Sequence, residues 1–389
     1  QILAQGYEAT LADRQERFAE LNWMTDELTS DYVKAEDIDP AVLAALQDLE
    51  NQGVKVFPNA RTLQVIQNKA RQKLFYRDHA IPTAPFSRFG YTSEIRDSIE
   101  NGGLSFPFVW KSAQFGYDGQ GVKIVRKYDD LEGLPNVECV AEDLIPFKNE
   151  LAVIVARNAS GETRTYPVVE MEFHPEANQV EYVLCPARIP GQVADKAREV
   201  ALKVSASLGH VGLLAVELFQ TREDQILVNE VAPRPHNSGH YSIEGSYTNQ
   251  FEQHLRAILG LPLGKTDSKV SAVMVNLVGA EGFEGPVDYR GIEDILGLPG
   301  VTPHIYGKKM TRPFRKMGHV TIVDPSIEKA RETAARVKEG MEEISNKTTY
   351  KGLMVQGKDK DDCTLQKSIW FDVHSTASNG HWIEDEGNK

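Results

Sequence analysis

The chain has 389 residues, with 43 Lys and Arg against 56 Asp and Glu and a formal net charge of −13. A chain this long is expected to form two or three domains, and 41% hydrophobic with 25% charged residues is the composition of a globular protein, not a disordered one. No apolar run approaches the roughly 20 residues that span a bilayer, and the acidic balance argues against a general nucleic-acid binder, so an anionic ligand would need a local basic cluster.

Residues 1–6 read as a helix end stopped by Gly6, and residues 8–13 as a strand ending in Asp13. A complete unit would need a strand and a glycine turn before Gln1. The first residues carry no basic stretch followed by a long apolar one, so no secretory signal is visible. Cys139, Cys185 and Cys363 are far apart and odd in number, which suits a reducing cytoplasm better than a disulfide framework or a metal knuckle. Residues 40–52 have the spacing of an amphipathic helix closed by Gly53, and residues 54–58 read as a short strand. Residues 62–79 predict a second helix. It ends before Ile81-Pro82-Thr83-Ala84-Pro85, where two prolines enforce an extended crossing and mark a domain boundary.

Residues 106–127 read as strand, glycine-rich loop, strand, with more strands at 138–145, 151–157 and 164–171. Residues 193–208 predict a helix with Val193, Ala197, Val200, Ala201 and Val204 on one face and Gly209 as its stop. Strands then bracket Glu217 and the pair Asn229-Glu230. Residues 265–345 form a third unit, with strands at 270–278 and 318–323 and a long helix at 326–344. The polar segment 349–389 carries no motif.

Four clusters carry chemistry. The loop Gly116-Tyr117-Asp118-Gly119-Gln120-Gly121 lies between two strands, where its backbone N–H groups can approach phosphate oxygens. By itself it also fits a plain mobile hairpin, but Lys111 leaves the preceding strand just upstream. Glu217 and Glu230 each sit inside an apolar strand, the latter beside Asn229. Two carboxylates side by side repel unless a cation lies between them, and an oxygen-only donor set suits magnesium with nucleotide phosphates. The donor-rich loop from Arg234 through His236 and Asn237 to His240, stiffened by Pro233 and Pro235, suits a small oxyanion. The basic run Lys308, Lys309, Arg312, Arg315 and Lys316 is broken by Pro313 and Phe314 and followed by a strand, which suits a phosphomonoester.

The motifs Ile81-Pro-Thr-Ala-Pro85, Gly116-Tyr-Asp-Gly119, Glu217 in AVELF, NEVAPRPHNSGH ending at His240, QFEQHLR ending at Arg256, and Arg315-Lys-Met-Gly-His319 resemble those of the 5-(carboxyamino)imidazole ribonucleotide synthases. These are ATP-grasp ligases of de novo purine biosynthesis, and the resemblance runs from about residue 30 to about residue 345. It implies an α/β (α+β) chain: an N-terminal Rossmann-like pre-ATP-grasp domain at 1–60, incomplete here, and an ATP-grasp domain at 61–264 with a glycine-loop lid at about 85–145. A small C-terminal domain at 265–345 and a tail at 346–389 outside the family core would follow.

The implied activity joins bicarbonate to 5-aminoimidazole ribonucleotide with ATP and Mg2+, in a cytoplasmic homodimer with no nucleic-acid or membrane partner. By resemblance, Lys69 and Lys111 contact ATP, and the loop from Gly116 to Val122 closes over the triphosphate. Glu142, Asp143, Leu144 and Ile145 form the adenine hinge, Glu150 holds the ribose and His174 lies near the adenine. Glu217 and Glu230, with Asn229 close by, hold magnesium. Arg234, His236, Asn237 and Lys308 surround bicarbonate, and Lys308, Arg315 and Lys316 reach the ribotide phosphate. The chain departs from the family pattern at Lys69, usually arginine, and at Phe115, usually glycine, while His174 aligns one residue off. A formate-using ribonucleotide transformylase of the same superfamily and a nucleotide-binding relative without catalysis are the rival readings.

Overall fold

The computed structural model describes residues 40–114, 121–174, 179–289 and 291–347. The expected strand at 8–13, the loop at 115–120 with Gly116, Tyr117, Asp118, Gly119 and Gln120, and the tail all lie outside them. Helix α1 spans Pro40–Asn51, α2 Ala60–Ile66 and α3 Lys69–Asp78. The single helix expected over 62–79 is therefore two. Asn68 breaks it and caps α3, its side chain accepting from the Arg71 N–H at 2.8 Å, while the Lys69 N–H donates to Ala113 O at 2.8 Å. Residues 54–58 form no strand, because no described segment offers them a ladder partner.

A small antiparallel sheet follows, built from β1 (Phe86–Phe89), β2 (Phe108–Ser112), β3 (Val122–Val125) and β4 (Cys139–Asp143) in the order β1-β4-β2-β3. Helix α4 (Glu94–Glu100) packs on it through Ile95 against Phe108, Trp110 and Val125. Pairing of Lys111 with Val122 closes the β2–β3 hairpin at the mouth of the glycine loop, and Gly121 there has a φ of +75°.

The large sheet takes β5 (Phe147–Arg157), β6 (Thr163–Thr165), β7 (Val169–Phe173), β8 (Val180–Cys185), β9 (Gly212–Thr221) and β10 (Ile226–Ala232). Helix α5 (Gly191–Leu208) lies between β8 and β9, and Gly209 ends it in the left-handed conformation. Its face of Val193, Ala197, Ala201 and Val204 packs on Leu151, Val153, Leu214 and Val216 of β5 and β9, so the apolar periods of helix and strands meet in one core. The expected strand at 164–171 divides into β6 and β7.

Beyond β10 come a 3-10 turn Asn237–Gly239, α6 (Ser242–Gly245), α7 (Gln250–Leu259), β11 (Ser271–Val278), β12 (Gly285–Pro286), α8 (Ile292–Leu296), β13 (Val301–Ile305), β14 (Met310–Thr311), β15 (Lys316–Asp324) and α9 (Ile327–Lys347). Strands β11, β15 and β13 extend the same sheet, whose path runs β10-β9-β5-β7-β8-β11-β15-β13. Helix α9 covers them through Ala330, Ala334 and Val337. Strand β13 was not legible in advance because it contains Pro303, which a ladder tolerates at the sheet edge where β13 lies.

Candidate active site

Helix α3 aims a charge into the interior. Ala70, Lys73 and Tyr76 recur on its buried face, and Lys73 is only 2% exposed. Its ammonium lies 2.9 Å from Glu142 Oε2 and donates to Thr83 Oγ1 at 2.7 Å. Lys111 Nζ lies 3.1 Å from the same Oε2 and donates to Asn229 Oδ1 at 3.1 Å. Thr83 in turn donates to Val228 O at 2.7 Å, so the proline-flanked crossing segment is pinned to β10. Burial pushes the Lys73 ammonium down to about 8, with Glu142 opposing. Burial alone would raise the Glu142 carboxyl, but Lys111 and Lys73 hold it below the usual carboxylate value. Among the described residues Glu142 Oε1 is buried without a hydrogen-bond partner, so one oxygen serves two cations and the other is not engaged by them. Sequence reasoning selected Lys69 and Lys111 and missed Lys73. The signal was there: a lysine on the apolar stripe of an amphipathic helix.

Of the other expected hinge residues, Asp143 and Leu144 are exposed and Ile145 is half-buried. Glu150 is half-buried on β5, and burial pushes its carboxyl up to about 7 against the pull of Lys111. His174 follows β7 and packs against the Phe314 ring at 5.9 Å, next in sequence to Arg315.

Glu217 and Glu230 are register partners on β9 and β10. A bulge between Val228 and Glu230 breaks the alternation, so Asn229 and Glu230 are successive half-buried polar residues. The loop beyond is held by Gln250 of α7. Its Oε1 accepts from the His236 N–H at 2.8 Å and its Nε2 donates to His236 O at 2.9 Å. Gly239 allows this approach, since a Cβ there would sit 2.4 Å from Gln250 Oε1 and 2.3 Å from Ile154. The His236 ring accepts from the Ser238 N–H at Nδ1, which leaves the proton on Nε2, 3.6 Å from Glu217 Oε1. Asn237 and Asn276 exchange amide hydrogen bonds of 2.7 and 3.0 Å. Arg234 is exposed, and one guanidinium N–H donates to Pro235 O at 3.2 Å.

In the basic segment, Lys308 Nζ donates to Lys316 O at 2.8 Å and lies 5.9 Å over the Tyr306 ring. Arg315 donates to Met310 O at 3.0 Å. Lys308, Arg315 and Lys316 thus come together at the ends of β14 and β15.

Among the described residues no cluster of three His, Cys, Asp or Glu forms a metal cage. Two facing carboxylates are nonetheless the donor set of a magnesium that takes its remaining oxygens from nucleotide phosphates and water. Opposed like charges on neighbouring strands also need a cation between them. Glu217 and Glu230 therefore fit the ion.

Residues 74–251 match the ATP-grasp domain and residues 272–333 the phosphoribosylaminoimidazole carboxylase C-terminal domain. The chain is similar to the N5-carboxyaminoimidazole ribonucleotide synthase of Synechococcus elongatus, 37% identical over 287 residues that cover 72% of this chain and 71% of the relative. Its counterpart in Bacillus subtilis is 38% identical over 266 residues, 67% of each chain. Among solved structures, the N5-carboxyaminoimidazole ribonucleotide synthetase from Thermotoga maritima gives a TM-score of 0.69 at 43% identity, covering 78% of this chain and 79% of that one. The N5-carboxyaminoimidazole synthase from Aspergillus clavatus, solved with ADP and 5-aminoimidazole ribonucleotide, gives 0.70 at 32% identity, covering 77% and 79%.

Proposed function

The chain belongs to the N5-carboxyaminoimidazole ribonucleotide synthase family, and on that premise we propose how its residues divide the work of an ATP-dependent carboxylation. The enzyme is an ATP-grasp ligase of purine biosynthesis that makes N5-carboxyaminoimidazole ribonucleotide from 5-aminoimidazole ribonucleotide. In our reading ATP lies between the small sheet and the large one, its purine and α-phosphate met by Lys73, Lys111 and the Glu142 side, with Lys69 near the phosphates and Glu150 on the ribose. The loop 116–122 would close over the triphosphate. Glu217 and Glu230 would hold Mg2+, which when bound would supply positive charge to offset that of the reacting phosphates.

Bicarbonate is a poor nucleophile, so positioning supplies much of the acceleration. The guanidinium of Arg234 offers a two-pronged fork, and the His236 Nε2–H and the Asn237 amide add donors around one small anion. A bicarbonate oxygen attacks the γ-phosphorus, the bond to the bridging oxygen breaks, and ADP leaves. The resulting carboxyphosphate splits at its C–O bond into CO2 and phosphate. The exocyclic amine of the ribotide then attacks the carbon, and its proton passes to the departing phosphate. Lys308, Arg315 and Lys316 hold the ribotide phosphate throughout. Closing out water protects both short-lived species.

The observation that carries this reading is the register pairing of Glu217 with Glu230, followed directly by the Gln250-clamped oxyanion loop. A coupled ADP assay tests it. ADP release should require both bicarbonate and the ribotide, and release supported by formate instead would favour a transformylase. ATP binding without ribotide-dependent turnover would favour a non-catalytic relative.

The division at 1–60, 61–264 and 265–345, a cytoplasmic location and a homodimer belong to the same reading. Among the described residues no helix is long and apolar enough to cross a membrane. Phe251, Leu255 and Leu259 leave an exposed apolar stripe along α7, which supports self-association. Sedimentation of the purified protein would test it, and a monomer at micromolar concentration would remove the dimer.

A further inference from the structure

Two histidines close the motifs that build the anion sites, His240 after the oxyanion loop and His319 after the basic segment, and the chemistry above uses neither. The sheet brings them together. Asn276 on β11 pairs with His319 on β15, and His319 pairs with His304 on β13, so three polar residues form one row across adjacent strands. Gly318 makes the row possible, because a Cβ at that position would meet His304 O at 2.4 Å.

The oxyanion loop sits on this row residue by residue. Asn237 exchanges amide bonds with Asn276, the His240 ring stacks on His319 at 4.6 Å and 12°, and Glu244 lies 2.8 Å from His304 Nε2. Positions 237, 240 and 244 have helical spacing, as expected for the turn and short helix that carry them. His304 stacks on the other side of His319 at 4.4 Å. His319 also reaches the basic segment, since Tyr306 Oη lies 3.0 Å from its Nδ1 and Lys308 follows two residues later. Burial lowers His240 to about 4 and His319 to about 3, so these two rings are uncharged at neutral pH.

We propose that His319 is a positioning residue: through its ring against His240 and its bond to Tyr306 it holds the oxyanion loop and the basic segment as one unit, so that CO2 formed at the first is delivered to the amine held by the second. This rests on the reading that Arg234, His236 and Asn237 hold bicarbonate while Lys308, Arg315 and Lys316 hold the ribotide phosphate. Its consequence is stoichiometric. If the two halves lose register, phosphoryl transfer continues but CO2 escapes, and ADP appears without carboxylated ribotide.

The test uses His319→Phe, Tyr306→Phe and the double variant of the full chain. Phenylalanine at 319 keeps the stacked ring, loses the bond to Tyr306 and removes His319 Nε2, a buried atom without a hydrogen-bond partner among the described residues. Tyr306 is 39% exposed, so its variant removes the same bond from a tolerant position. Each single variant should raise the ratio of ADP released to ribotide carboxylated and raise the ribotide KM about tenfold, the effect of one lost hydrogen bond. The ATP KM should stay within about twofold of the parent. Because both singles delete one shared interaction, the double variant should be no worse than either. A parent-like ratio in both singles, with or without a lower melting temperature, would overturn the proposal, as would additive effects in the double. A parent protein that shows no ribotide-dependent ADP release would instead overturn the functional reading beneath it.

Discussion

Replacing Lys73 with methionine should stabilise the unliganded protein and weaken ATP binding at the same time. Lys73 has two hydrogen-bond partners, yet burial still pushes its ammonium from 10.5 down to about 8. That fall corresponds to on the order of 3 kcal/mol at about 1.4 kcal/mol per unit. It is the net amount by which burying the charge, with the repulsion of Lys111, outweighs the attraction of Glu142. Methionine keeps the apolar stem and removes the charge. Glu142 is not abandoned, because Lys111 still lies 3.1 Å from its Oε2. The unfolding free energy from urea titration should therefore rise by about 1–3 kcal/mol, as when a buried ionic group gives way to an apolar one. Binding should move the other way. The site loses one positive charge facing a polyanionic nucleotide, and Glu142 loses one of the two ammonium groups that fix it. The KM for ATP should rise about tenfold, or about 1.4 kcal/mol, with the ribotide KM unchanged. A loss of about 3–5 kcal/mol of stability, the usual result of breaking a buried ion pair, together with an unchanged ATP KM, would refute the reasoning and mark Lys73 as a structural brace.

Three further outcomes are expected. Glu230→Gln should abolish turnover while leaving the urea midpoint near that of the parent, because a carboxamide keeps the shape but not the charge opposite Glu217; near-normal ADP release at saturating magnesium would remove the metal role. Arg234→Lys should raise the bicarbonate requirement about tenfold and leave ATP binding alone, since a point charge cannot replace the fork. Equal effects on both substrates, or none, would mean that Arg234 only braces its loop through Pro235 O. Stability should also fall with acid. His210 and His240 are lowered by burial to about 4 and His319 to about 3, so between those values and 6.5 the folded state binds fewer protons than the unfolded one. Their contribution is complete above about pH 6.5 and is lost as the pH falls through that window. Glu150, raised to about 7, has the opposite sign and offsets one of the three. These four groups together give a slope of about 2–3 kcal/mol per pH unit near pH 5.5, and His254, also lowered by burial, adds to it with the same sign. Urea midpoints at about pH 7 and pH 5 would check it, and His319→Phe should flatten the slope by one histidine's share.

Local rules made much of the molecule legible from the chain itself. The strands around Glu217 and Glu230 were readable because a carboxylate inside an apolar run is costly on any fold. The helix ending at Gly209 was readable because its apolar spacing and its left-handed stop are both local. The oxyanion loop was readable because two prolines and a run of donors have few other uses. The break at Asn68 was not, since it depends on the Lys69 N–H finding Ala113 O, more than forty residues away. The same holds for β13, whose proline is acceptable only because assembly places that strand at an edge.

The partnerships within the site belong to the tertiary structure alone. The sequence marked Lys111, Glu142 and Asn229 as separate candidates on separate strands. Lys111 and Glu142 meet across the paired strands β2 and β4, Lys73 joins them from α3, and only the docking of the small sheet against β10 brings Asn229 to Lys111. His240 and His319 end motifs nearly eighty residues apart, and no spacing rule joins them. Strand register does, through the single row of Asn276, His319 and His304 on which the loop sits. Residue type and local spacing can state which chemistry is available, since they act over a few bonds. Which groups share a proton, a charge or a ring face is decided by long-range pairing, where a one-residue slip would turn every side chain of the row to the opposite face of the sheet.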